Sequence, residues 1–167
     1  FGLSPDTLLA NTEPYADTVR ALYGIETATY APEVKQLFGD LRYVLASRHT
    51  TKQMNRVDQP GYLYMLSYIP PSERDHWRGA PHSWQKRPLF RDNSIPIIND
   101  MRQYIVNLVK TGNPNSIGLP DWPPVATGKV SWMMFGDEPK VKLDISQEKL
   151  DLLQRVYEHR ITPMVPQ

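Results

Sequence analysis

The sequence predicts an α/β chain that contributes a late parallel strand to a larger doubly wound sheet. The run Tyr62-Leu-Tyr-Met-Leu-Ser-Tyr-Ile69 is apolar or aromatic with little alternation, as expected of a strand covered on both faces. Helical patterns stand on either side of it, the order in which a crossover helix delivers each strand of a parallel sheet. No second run of comparable buried character occurs in the 167 residues. The strand's parallel neighbours are therefore expected outside this chain.

The elements follow in order. After an irregular lead, Thr12 is placed as an N-cap. With Pro14 in the first turn, Tyr15, Val19, Leu22 and Tyr23 form an apolar stripe that Gly24 ends. A linker through Pro32 leads to Gly39-Asp40, where Asp40 caps a helix carrying Leu41, Val44 and Leu45. Pro60-Gly61 then turns the chain into the strand. Met101, Tyr104, Ile105, Leu108 and Val109 keep the i, i+3, i+4, i+7, i+8 spacing of one helix face, and Gly112 followed by Asn113-Pro114 stops it. A proline-rich connection, Leu119-Pro-Asp-Trp-Pro-Pro124, follows. Lys129 to Phe135 and Lys140 to Leu143 flank Gly136-Asp-Glu-Pro139 as a hairpin. A last helix is predicted from Ser146 to about Arg160, with Leu150, Leu153 and Tyr157 facing inward.

Composition narrows the class of function. The apolar share of 40% supports a packed core, while sixteen prolines commit much of the chain to irregular connections. The 19 basic and 18 acidic residues are interspersed, leaving a net charge of +1. That pattern carries no footprint for nucleic acid or an anionic membrane surface. No window approaches the ~20 apolar residues of a membrane span, and the first residues lack the basic start and apolar run of a leader. An internal segment would lack both in any case, so localisation stays open. The absence of cysteine removes disulfides, thiolate metal sites and a cysteine nucleophile from these residues.

The chemistry centres on the loop after the strand, Trp77-Arg-Gly-Ala-Pro-His82-Ser-Trp-Gln85. Loops leaving strand ends commonly present reactive groups on a rigid scaffold. Imidazole, with an ordinary pKa of about 6.5, accepts a proton near neutral pH. His82 is thus the candidate general base, although a lone loop histidine is more often solvated or structurally bonded. His49 falls on a helix, His76 in the same loop and His159 near the end; each reads as structural or exposed. Asp75, His76 and His82 match no compact metal-ligand spacing, and neither a metal nor another cofactor is expected. No serine stands in Gly-x-Ser-x-Gly, the strained elbow that exposes a nucleophile. Ser83, adjacent to His82 on an extended loop, points away from it and cannot serve.

These residues carry a resemblance. Tyr62-Leu-Tyr64 through Tyr68, then Trp77-x-Gly79-x-x-His82-x-x-Gln85 and Leu89-Phe90, resemble the histidine segment of the type B carboxylesterases, the carboxylesterase, lipase and cholinesterase family of α/β-hydrolases. Gly39-Asp40 followed by Leu41-Arg-Tyr43 is similar to the family's preceding helix. Met101-x-x-Tyr104-x-x-Asn107, Lys110-Thr-Gly-Asn-Pro-Asn115 and Leu119-Pro-Asp-Trp-Pro-Pro124 resemble its next landmarks, so the match covers roughly 39 to 143.

The resemblance implies that residues 1 to 167 are the C-terminal part of one α/β-hydrolase domain. In the family's Ser, acid, His order only the last member falls here, and the serine, oxyanion-hole glycines and acid lie before Phe1. The implied partners are that N-terminal portion of the same enzyme and a small carboxylic ester. His82 then takes the serine proton and later activates water on the acyl-enzyme. Trp84, beside it, is either loop packing or a wall of the substrate site. The family commonly has glycine directly after the histidine and glutamate at the third position after it; here these are Ser83 and Gln85. Some members have lost the triad and act as adhesion modules, which is the alternative function.

Overall fold

The structure is a computed structural model that describes residues 4–26, 31–126 and 129–162. Helices α1 (Pro5–Ala10), α2 (Ala16–Tyr23), α3 (Pro32–Gly39) and α4 (Leu45–Met54) precede strand β1 (Leu63–Leu66). Helices α5 (Lys86–Arg91) and α6 (Pro96–Thr111), strands β2 (Ser131–Phe135) and β3 (Pro139–Leu143), and helix α7 (Gln147–Ile161) follow. The chain divides into two compact units, Phe1–Gln53 with Ser146–Gln167, and Met54–Ile145.

The helical unit buries Leu8, Leu9, Val19, Tyr23, Val34, Leu37, Leu45, Leu152, Leu153 and Val156 in one cluster. Its start is helical rather than irregular: the Ser4 hydroxyl accepts from the Thr7 N–H, and Pro5 sits where a missing N–H costs nothing. Thr12 is not the N-cap of α2. Its buried hydroxyl donates to the Leu9 carbonyl at the end of α1, and Tyr15 takes the cap position. Gly24 ends α2 in the left-handed region, as expected.

Asp40 is not a cap either, because α3 continues through a π-helical turn, Asp40–Val44, into α4. The preference of aspartate for caps gives way to a tertiary bond: the Tyr23 hydroxyl donates to the buried carboxylate at 2.8 Å. The buried Arg48 pairs with Asp151 of α7, and His49 with Gln154. On α7, Leu150 and Leu153 are buried as expected, whereas Tyr157, expected to face inward, is exposed and Val156 is buried instead. Val156 and Tyr157 both lie within one turn of Leu153, and the smaller side chain fits the interior.

The second unit contains the sheet, ordered β1-β2-β3. β2 and β3 form the expected hairpin, with Ser131 opposite Leu143 and Phe135 opposite Pro139. The expectation that the first strand has no parallel partner in this chain is wrong on one edge. β2 pairs with β1 in parallel, Leu63 opposite Trp132 and Leu66 opposite Phe135. All five β2 residues are buried, but the run Ser-Trp-Met-Met-Phe reads as one arm of a hairpin, and its crossover partner is invisible to local pattern. β1 is also shorter than the run from 62 to 69, and Tyr64 and Ser67 are exposed. The other edge of β1 carries no strand among the described residues.

One sheet face packs on α6 through Ile97, Ile98, Met101, Tyr104, Trp122, Met133 and Phe135. The helix stops at left-handed Gly112, as expected. Val109 departs from the predicted stripe and is exposed. The Asn115 side chain explains why the Thr-Gly-Asn-Pro-Asn and Trp-Pro-Pro elements go together. Its Oδ1 accepts from the Trp122 N–H at 2.6 Å, and its Nδ2 donates to the Trp122 carbonyl at 3.0 Å. Trp122 in turn donates its indole N–H to the Leu63 carbonyl of β1 at 3.1 Å.

The buried Asp40 gives a pH test. Burial holds its carboxyl above the usual range, only partly offset by the Tyr23 hydroxyl, Lys149 and Gln36. An acid whose folded pKa is raised favours the folded state when protonated, so its contribution falls as pH rises from about 4. Asp40→Asn keeps an acceptor for Tyr23 and removes the ionisation. In the complete protein, the melting temperature of the Asn variant relative to the parent is expected to rise with pH above about 4 and then level off. A difference that stays constant or falls contradicts the account.

Candidate active site

The strand end that precedes the histidine loop is fixed by backbone bonds. The N–H groups of Ser67 and Tyr68 both donate to the Phe135 carbonyl, at 2.8 and 2.9 Å. The chain then makes a short 3-10 turn, Pro71–Glu73, and the His76 and Trp77 N–H groups donate to the Glu73 carbonyl. Beyond Gly79 lies a second turn, in which the Trp84 N–H donates to the Pro81 carbonyl at 3.2 Å. His82 is exposed on that turn, directly ahead of α5.

Ser83 has a φ of 65°, in the left-handed region. A residue with a Cβ adopts it at a cost of about 1 to 2 kcal/mol, whereas glycine enters it freely. Trp84 is half-buried, with its rings 6.0 Å from Tyr68 and 6.2 Å from Trp77. Its indole nitrogen and Gln85 Oε1 are buried without a hydrogen-bond partner among the described residues.

Sequence reasoning missed Arg102, which holds the far side of the loop. From α6 its guanidinium donates to the carbonyls of Leu89 at 2.7 Å, Pro88 at 3.1 Å and Asp92 at 2.9 Å, and to Asn99 Oδ1 at 2.7 Å. Cations commonly serve the unpaired carbonyls at a helix end. An arginine directly after the apolar Met101 is the only sequence trace of this role. Beneath it, burial and then Asp100 and Asp121 push the Tyr104 hydroxyl up to about 12. Tyr104 therefore stays a neutral donor, bonded to the Pro120 carbonyl.

The other candidates belong to the helical unit or to the exposed surface of the His82 loop. His49 and His159 belong to the helical unit, where His49 packs against Tyr157 and His159 against Tyr15. Asp75 and His76 are exposed on the loop. Among the described residues, no group of three or more histidine, aspartate and glutamate side chains is arranged to hold a metal ion. No helix among them is long and apolar enough to cross a membrane.

A parallel strand pair extended by an antiparallel hairpin, with helices before and after it in the chain, is a partial α/β-hydrolase fold. The sequence profile of the carboxylesterase family matches residues 8–153, and the chain belongs to that family. Solved esterases share the fold. PNB esterase superposes with a TM-score of 0.74 at 18% identity, over 90% of this chain and 33% of that one. EstA from Aspergillus niger gives 0.70 at 17%, over 92% and 36%. The carboxylesterase EST55 from Geobacillus stearothermophilus gives 0.69 at 18%, over 89% and 34%. The chain thus spans about a third of the length of these proteins. No match is found among curated proteins.

Arg102 is testable directly. Lysine keeps the charge but cannot serve three carbonyls from one planar fork. Arg102→Lys is expected to lower the stability of the complete protein by about 1 to 2 kcal/mol, read by urea or thermal unfolding. A loss below ~0.3 kcal/mol would show that the carbonyls do not depend on the guanidinium.

Proposed function

We propose that this chain supplies the general base of a serine carboxylesterase, with His82 as that base. The observation that carries the reading is the loop itself. His82 stands exposed on a turn whose entry is tied to the end of a parallel strand and whose exit is tied to α6. Membership in the carboxylesterase family supports ester hydrolysis as the reaction. With no Gly-x-Ser-x-Gly in these residues, the nucleophile, the oxyanion donors and the acid are assigned to an N-terminal part of the same enzyme.

The division of labour follows from imidazole chemistry. His82 accepts the serine proton as the hydroxyl attacks the ester carbonyl, then returns it to the departing alcohol. In the second half it draws a proton from water, which attacks the acyl-enzyme, and returns it to the serine. The acid partner fixes the tautomer, so no carboxylate of the loop is required for that role. The edge of β1 that carries no strand among the described residues supports completion of the sheet by a strand from the rest of the protein.

Triad members act as a unit, so loss of one removes most of the catalysis. In the complete protein, His82→Ala is expected to lower turnover of a chromogenic short-chain ester by roughly 10³-fold or more. Substitution of His49, His76 or His159 should do far less. Near-parent turnover by a soluble His82→Ala protein would end the assignment. If the parent gives no covalent adduct with a serine-directed phosphonate by intact mass, the chain belongs to a binding or adhesion module instead.

Trp84 is assigned to packing against Tyr68 and Trp77, since its rings are already engaged there. Its unpartnered indole N–H makes phenylalanine a mild replacement. Trp84→Phe is expected to keep KM for the same ester within about twofold, because packing survives the loss of an unpaired donor. A KM increase of tenfold or more, with unchanged stability, would move Trp84 into the substrate site.

A further inference from the structure

We propose that Ser83 is a positioning residue for His82, acting through its left-handed backbone rather than its hydroxyl. This rests on His82 being the base. The Pro81 to Trp84 turn places His82 and Ser83 at its two central positions, closed by the Trp84 N–H on the Pro81 carbonyl. A positive φ at the second central position is what a type II turn demands, and glycine or asparagine usually supplies it. Serine has neither glycine's freedom nor asparagine's local tolerance.

Two neighbours fix the conformation. The Ser83 carbonyl accepts from the Lys86 N–H at 3.1 Å, starting the turn that runs into α5. Trp84, one residue on, is anchored against Tyr68 and Trp77. Strained backbone persists only where its surroundings over-determine it. Were Ser83 to relax to negative φ, the peptide between His82 and Ser83 would rotate and the turn would open. Trp84 would leave its ring contacts or His82 would be carried off its present line. On this proposal the strained backbone at Ser83 sets the turn from which His82 projects, and a misplacement of about 1 Å is enough to slow a proton transfer by up to ~10²-fold.

The test uses the complete protein and a chromogenic short-chain ester, with parent, Ser83→Gly, Ser83→Ala, Ser83→Val and His82→Ala measured together. β-branched valine is the residue least able to hold the left-handed backbone. Ser83→Val is expected to lower kcat by roughly 10- to 100-fold with KM within about threefold, since the ester still binds while the base is misdirected. Ser83→Gly, which lacks the hydroxyl but accepts the backbone, should retain most of kcat, and Ser83→Ala should fall between. If the valine variant is insoluble, the order of glycine above alanine carries the test. Equal kcat for parent, Gly, Ala and any soluble Val variant overturns the inference. A glycine variant as slow as alanine also overturns it, by assigning the role to the hydroxyl. Turnover retained by His82→Ala would instead overturn the reading of His82 beneath it.

Discussion

The bond from the Trp122 indole N–H to the Leu63 carbonyl is the constraint on which the second unit depends. β1 is only four residues long, and one of its edges is open among the described residues. Parallel pairing with β2 secures the other edge. Trp122 adds a buried side-chain bond to the same strand and fills the space between Tyr62, Tyr64, Tyr104 and Phe135 with edge-to-face ring contacts. Asn115 fixes Trp122 by both backbone groups. Because an unsatisfied buried donor or acceptor costs about 1 to 3 kcal/mol, these bonds act together or fail together.

The histidine loop inherits that order. Its entry is tied where Ser67 and Tyr68 share the Phe135 carbonyl, and its exit where Arg102 gathers the carbonyls around α5. Between them the backbone bends sharply at Ser83. Under the proposed role of His82, a loop so held at both ends would lose little further freedom in the reaction, a condition that favours proton transfer. The helical unit is organised by a different device, the Tyr23 to Asp40 bond, around which one long helix passes through a π-turn.

What the sequence made legible followed from local rules. The hairpin, the stop at Gly112, the last helix and the histidine loop all rest on turn residues or periodicity close in sequence. The misses share one cause, competition from distant partners. Asp40 has the chemistry of a cap, but Tyr23, far away in sequence, claims it. Thr12 likewise serves the end of the helix before it. The parallel partner of β1 went unseen because β2 is separated from it by two helices and a proline-rich connection, and nothing local marks such a pairing. Around the proposed site, the loop that carries His82 and Trp84 was readable from its turn residues. Arg102 was not, since its role lies in carbonyls that only the fold brings together, and nothing local in the sequence marks the left-handed backbone of Ser83.

The central claim is that His82 serves a serine that these residues do not contain. The most direct measurement is a crystal structure of the complete protein after reaction with a serine-directed phosphonate. The account predicts a phosphonylated serine outside this segment, with an imidazole nitrogen of His82 within about 3 Å of the serine oxygen, the reach a general base requires. A modified serine with a different base beside it, and His82 pointing to solvent, would contradict it.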